Sequence, residues 1–121
     1  MKKILLVEDD PFIVDIYNTQ LTKNGFKIDV SNSAEMALEK VKSNLPDLMI
    51  LDINLPKMDG WDCLKMVRAD SATKNIKVIV ISNRNREDFI DNIKQLGVIE
   101  YFLKVETTPE EMTNAVKEIL K

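Results

Sequence analysis

"LMILDINLPKMDG" (residues 48–60) sets four apolar residues, fit for a fully buried strand, directly before a carboxylate, Asp52. A continuous apolar run of this kind suits a parallel sheet covered on both faces. An ionised aspartate at its end is costly unless something cationic meets it. The rest of the chain supplies both the covered sheet and the cation.

Working outward, apolar runs alternate with helical patterns. "KILLV" (3–7) reads as a strand, followed by Asp10-Pro11, a helix N-cap and a proline at the first helical position. Ile13, Ile16, Tyr17 and Leu21 are expected to form that helix's buried face, and Asn24-Gly25 stops it. "KIDVS" (27–31) alternates as an edge strand would, and Ala34, Ala37, Leu38 and Val41 recur at helical spacing. "DLMIL" (47–51) is the third strand, and Trp61, Leu64 and Val67 face inward from a short helix after it. "IKVIVI" (76–81) is the fourth; Phe89, Ile90, Ile93 and Leu96 mark a helix ended by Gly97. After "IEYFL" (99–103), Thr108-Pro109-Glu110-Glu111 is a capping box opening a helix with the stripe Met112, Ala115, Val116, Ile119, Leu120. Five strands alternating with five helices predict an α/β doubly wound parallel sheet with helices on both faces. Such a sheet binds ligands at the carboxyl ends of its strands.

The 121 residues suit one domain, 1–121, with a net charge of −3 that argues against sequence-independent nucleic-acid binding. Cys63 is alone, so no intrachain disulfide forms, and a reducing, cytoplasmic setting is the simplest expectation. "MKKILLVEDD" imitates a signal peptide only faintly, because its apolar run is short and ends in acids. No stretch approaches membrane-spanning length, so no membrane insertion is expected.

Every carboxyl end of a parallel sheet lies on one edge. "ILLV" leads into Glu8-Asp9-Asp10, "LMIL" into Asp52, "VIVI" into Ser82 and "YFL" into Lys104. Glu8, Asp9 and Asp52 thus form a hard oxygen cluster suited to Mg²⁺. Three carboxylates alone would repel, and at least one should hold its proton. A divalent ion and the Lys104 ammonium cancel all three. A phosphoryl group would then find a metal, an ammonium and a hydroxyl within reach, and Asp52 could attack phosphorus as a nucleophile. Asp10, beside Pro11, is better read as a cap. Ser82 alone would read as a helix cap and Lys104 alone as a loop lysine. Their meeting at one edge is what makes them a site.

"LLVEDDP", "LMILDINLPKMDGW", "VIVIS" and "YFLK" together resemble the receiver domain of two-component response regulators, chemotaxis regulators among them, over essentially the whole chain. The resemblance implies a flavodoxin-like sheet of order 2-1-3-4-5 and a phosphorylation-activated switch rather than an enzyme turning over an external substrate. It makes Asp52 the phosphoacceptor and Glu8, Asp9, Asp52 and the Asn54 backbone carbonyl the Mg²⁺ ligands. Ser82 and Lys104 would bind the phosphoryl group, and Tyr101 would change rotamer with Ser82, remodelling the face of the fourth helix, fifth strand and last helix. The donor would be a phosphohistidine on a sensor histidine kinase or phosphotransfer protein; the chain itself has no histidine. The downstream target is an unnamed protein, no nucleic acid is bound directly, and a phosphorylation-dependent dimer could form through the remodelled face.

Three positions depart from the family pattern. Val105 stands where proline usually follows the lysine across a cis bond; cis before a non-proline residue costs about 2.5–4 kcal/mol, so a trans bond and a rearranged loop are expected. Asn83 replaces a small residue and could narrow access to Asp52, while Lys77 replaces a common proline at a strand start. Asn54 and Arg84, two residues after Asp52 and Ser82, are expected to set the lifetime of the phosphorylated state. Phe12 and Val14, outside the expected stripe of the first helix, are expected to be partly exposed and to dock the phosphodonor, although scattered surface apolar residues are common.

Three other readings compete. A haloacid-dehalogenase-type aspartyl phosphatase would want a second aspartate where Asn54 stands. A flavodoxin-like flavin protein would need a phosphate loop where Glu8-Asp9-Asp10 repels phosphate. A receiver-like binding module that is never phosphorylated is disfavoured by the complete acidic set.

Overall fold

In the computed structural model, which describes residues 1–121, eleven elements follow one another. They are β1 (Lys3–Val7), α1 (Pro11–Lys23), β2 (Lys27–Ser31), α2 (Ala34–Ser43), β3 (Leu48–Asp52) and α3 (Gly60–Ala69). Then come β4 (Lys77–Ser82), a 3₁₀ turn (Arg86–Phe89), α4 (Ile90–Gln95), β5 (Glu100–Leu103) and α5 (Pro109–Ile119). All strand pairs are parallel and the order is β2-β1-β3-β4-β5, the doubly wound sheet the sequence implied.

The predicted caps are the ones that form. Asp10 accepts from the Phe12 N–H, with Pro11 opening α1, and Thr108 and Glu111 make the reciprocal capping box of α5. Ser33 and Asp59 cap α2 and α3 in the same way.

Two apolar layers sandwich the sheet. Tyr17 and Leu21 of α1 and Met112, Val116 and Leu120 of α5 cover one face. Residues of α2, α3 and α4, Ala37, Leu64 and Ile93 among them, cover the other. β3 is buried along its whole length, each large apolar side chain contributing roughly 1.5–3 kcal/mol.

Side chains alternate between faces along a strand, so the layers assign each site residue a side. Ile4 and Leu6 pack in the α1/α5 layer and carry Glu8 to that face; Leu48 and Ile50 carry Asp52, and Phe102 carries Lys104. Val78 and Val80 pack in the opposite layer with Tyr101, so Ser82 and Tyr101 belong to the α2–α4 face.

Two elements differ from expectation. In α1 the stripe is rotated: Ile16 is 48% exposed, whereas Val14 packs against the α1/α5 layer with Ile13. Phe12 and Ile16, one turn apart, are the exposed pair; periodicity alone could not say which flank of Tyr17 and Leu21 would meet α5. The single helix expected around Phe89–Leu96 divides into the 3₁₀ turn and a six-residue α4. Neither piece has a side-chain cap, and the Phe89 backbone (φ −130°, ψ 24°) departs from helix; Ile90, expected to face inward, is 36% exposed. β3 and β4 also run one residue beyond the expected ends, taking in Asp52 and Ser82.

Candidate functional site

The ladder delivers the polar residues to the rim. Glu8 N–H donates to Ser31 O (2.9 Å), Ile53 N–H to Ile81 O (3.2 Å) and Lys104 N–H to Ser82 O (2.9 Å), so pairing continues past the last apolar residue of β1, β3 and β5. Glu8, Asp52 and Ser82 are consequently buried although polar, while Asp9 is exposed at the mouth.

Lys104 reaches into this rim. Its ammonium lies 2.7 Å from Glu8 Oε1 and 3.1 Å from Asp52 Oδ2, with only 11% of the side chain exposed. Those two carboxylate oxygens have no other partner. This ammonium is the cation that the aspartate after "LMIL" required. The remaining oxygens are held by backbone: Glu8 Oε2 accepts from Asp9 N–H (2.9 Å) and Asp52 Oδ1 from Asn54 N–H (3.0 Å).

One ammonium does not neutralise three acids. Burial, then the closeness and charge of the Asp52 carboxylate, raise the Glu8 pKa to about 8 against the opposing pull of Lys104. Glu8 is thus the acid of the rim whose ionisation burial and the neighbouring carboxylate oppose. Burial alone would lower the Lys104 pKa, but the hydrogen bond to Glu8 and the charges of both acids outweigh it and raise it. Tyr17 on α1, read from sequence only as core, stands near enough that burial and the Glu8 charge raise its phenol.

Glu8, Asp9 and Asp52 each offer an oxygen within 4.8 Å of the others. All-oxygen donors, two of them otherwise met only by an ammonium, fit a small hard divalent cation.

On the other face, Ser82 Oγ accepts from Arg84 N–H (3.0 Å), and Tyr101 OH donates to Arg84 O (2.6 Å). One residue's backbone is therefore held at both ends by a serine on β4 and a tyrosine on β5. Sequence reading missed this link, and no local signal encodes it. The Arg84 guanidinium turns to Asp88 (3.3 Å) and lies over Phe89. Asn54 and Asn83 are exposed at the rim. The glycine of "MDG" is a packing requirement: a Cβ on Gly60 would stand 2.5 Å from Asp52 O and 2.8 Å from Ile53 Cα. Every peptide bond is trans, including Lys104–Val105. The loop turns instead through bonds from Glu106 and Thr107 N–H to Leu103 O, which leaves Val105 82% exposed.

The family model described as response regulator receiver domain matches residues 4–117. This chain belongs to that family. The receiver is 33% identical over 119 residues to sporulation initiation phosphotransferase F of Bacillus subtilis, covering 98% of this chain and 94% of that protein. It is 31% identical to the alkaline phosphatase synthesis transcriptional regulatory protein PhoP of the same organism, over 99% of this chain but only 49% of that protein. The receiver thus spans about half the length of some curated relatives and nearly all of others. Among solved structures, a CheY-like receiver domain protein from Methanospirillum hungatei superposes with a TM-score of 0.90 at 25% identity, covering 99% of this chain and 94% of that one. The receiver is therefore homologous to phosphorylation-activated response regulators, which are signalling switches; the phosphatase and flavin readings gain nothing from these matches. No helix is long and apolar enough to cross a membrane.

Proposed function

We propose that residues 1–121 form one receiver domain that takes a phosphoryl group onto Asp52 and changes its partner-binding face in response. The observation that carries this reading is the Lys104 ammonium bridging two buried carboxylates, Glu8 and Asp52, at the sheet rim. A carboxylate oxygen of Asp52 attacks phosphorus; the P–N bond of a phosphohistidine breaks, and its electron pair leaves with the imidazole. Asn54 N–H orients the nucleophile, and Lys104 exchanges its contact with Asp52 for one with a phosphoryl oxygen. Glu8, Asp9, Asp52 and the Asn54 carbonyl are the proposed Mg²⁺ ligands. Mg²⁺, when bound, supplies charge neutralisation for the phosphoryl oxygens. No external substrate is turned over; the chain catalyses only its own transfer and dephosphorylation.

To bond a phosphoryl oxygen Ser82 donates its O–H, and as the side chain turns toward Asp52 to do so its Oγ draws away from Arg84 N–H. Losing that bond frees the N–H of the residue whose carbonyl Tyr101 still holds, and the loop between β4 and α4 gains a second arrangement. Asn54 and Arg84 govern how water reaches the acyl phosphate, Arg84 after leaving Asp88. The donor is a sensor histidine kinase or phosphotransfer protein in the cytoplasm. Its docking patch is Phe12 with Ile16, Val14 contributing from its half-buried position. The output is a protein contact at the α4–β5–α5 face, a second copy being one candidate, with no direct nucleic-acid binding.

Incubation with Mg²⁺ and a small acyl phosphate should add one phosphoryl mass to the wild-type chain and none to Asp52→Ala. A wild-type chain that never gains the mass, or an Asp52→Ala chain that does, overturns the reading.

A further inference from the structure

Phe89 occupies the junction between the 3₁₀ turn and α4 and is half-buried. Its ring centroid is 5.2 Å from that of Trp61, tilted by 53°, and 6.3 Å from that of Tyr101, tilted by 43°. The Arg84 guanidinium covers it at 5.3 Å. Both separations lie in the contact range of aromatic pairs, so three rings, from α3, the 3₁₀ turn and β5, make one continuous stack in the α2–α4 layer. Both ends abut the phosphoacceptor site. Trp61 follows Gly60, which packs against the backbone of Asp52, and Tyr101 holds the carbonyl of Arg84 while Ser82 holds its N–H. The Trp61 indole N–H is buried with no acceptor, so this end of the stack is unsatisfied in the present arrangement.

A ring between two others cannot keep both contacts if one of them swings away. Interiors close over vacated space rather than leave it empty. Rotation of Tyr101 therefore obliges Phe89 to follow, and Phe89 is the first residue before α4.

We propose that Phe89 is a positioning residue that ties the rotamer of Tyr101 to the setting of Trp61 and the start of α4, so that the signal reaches the α3 face as well as the α4–β5 face. The inference rests on Asp52 being the phosphoacceptor. Trp61 is the chain's only tryptophan, so its emission reads one end of the stack without interference. Three chains are compared before and after Mg²⁺ and a small acyl phosphate: wild type, Phe89→Leu and Phe89→Tyr. Intact mass, Trp61 emission and amide exchange across residues 90–95 are followed in each.

Wild type should gain the phosphoryl mass with a change in both Trp61 emission and exchange. Phe89→Leu should gain the mass at a rate within about twofold of wild type but lose the emission change and most of the exchange response. Phe89→Tyr, which keeps the ring, should restore both. A Phe89→Leu chain with both responses intact overturns the inference, as does a fully phosphorylated wild type with neither. A wild type that takes no phosphoryl group overturns the underlying reading of Asp52, and the inference with it.

Discussion

Two residues at the rim carry free energy that the fold does not require. Lys57, in the loop between β3 and α3, has φ 65°, a left-handed conformation that glycine adopts freely and lysine does not. That geometry costs about 1–2 kcal/mol for a residue with a Cβ, against roughly 0.5–1 kcal/mol of extra chain entropy lost by a glycine. Lys57→Gly should therefore raise stability by up to about 1 kcal/mol, seen as a higher urea midpoint at unchanged slope; a lower midpoint would contradict the strain. Glu8 makes a second case. Burial beside Asp52 pushes its carboxyl pKa up from 4.5, the ordinary value, to about 8 in the metal-free fold. Between those values the folded chain holds the extra proton, so this group's contribution to stability falls as pH rises, by at most about 1.4 kcal/mol per pH unit. Glu8→Gln should flatten that decline in denaturant titrations at pH 5 to 8 without Mg²⁺. An unchanged slope would place the raised pKa elsewhere.

At the scale of elements, the 3₁₀ turn and α4 between β4 and β5 are the least regular. α4 has six residues and no side-chain cap, too short to be stable without its neighbours. Arg68 of α3 supplies an anchor from below: its guanidinium donates to the carbonyls of Leu96 (2.8 Å), Lys74 (2.8 Å) and Ile76 (2.6 Å). A carboxylate could accept only part of that fork, whereas three carbonyls from two loops use its planar geometry. Arg68→Lys keeps the charge and loses the fork. Hydrogen bonds to a charged donor are worth roughly 1.5–3 kcal/mol each, and lysine recovers one at best. The Lys74 bond is exposed to water and one part-buried bond is recovered, so one charged bond is lost outright. We expect a loss of about 2 kcal/mol and faster amide exchange across residues 95–99, with acyl-phosphate labelling retained. Equal exchange in the two proteins would show that α4 is held some other way.

The whole molecule divides the work between the two faces of one sheet. Glu8, Asp52 and Lys104 share the α1/α5 face, and Ser82 and Tyr101 the opposite one. A group bonded to Asp52 sits at the rim between them, where an ammonium from one side and a hydroxyl from the other can both reach it. Acid repulsion at that rim opposes folding until a cation relieves it. Mg²⁺ should therefore stabilise the chain by mass action, about 2.7 kcal/mol at a hundredfold excess over Kd. The gain should grow as pH rises toward 8, because the metal then displaces less proton from Glu8. Thermal midpoints with and without Mg²⁺ at pH 6 and pH 8 test this; an equal shift at both, or none, would remove Glu8 from the metal site.

Much of this was written locally. The period of apolar residues, the caps at Asp10 and Thr108, and the polar residue closing each apolar run fixed the order of elements and the membership of the rim, because each depends on neighbours within a few positions. Only the tertiary structure decided that α1 half-buries Val14 and turns Ile16 outward, that Lys104 bridges Glu8 and Asp52, and that Ser82 and Tyr101 hold the N–H and the carbonyl of one residue, Arg84. Helix rotation is set by the partner that covers the stripe, and a shared hydrogen-bonding group by two strands meeting in register. Neither leaves a mark in residue spacing, because the contacting residues are distant in sequence and adjacent only once the sheet has closed.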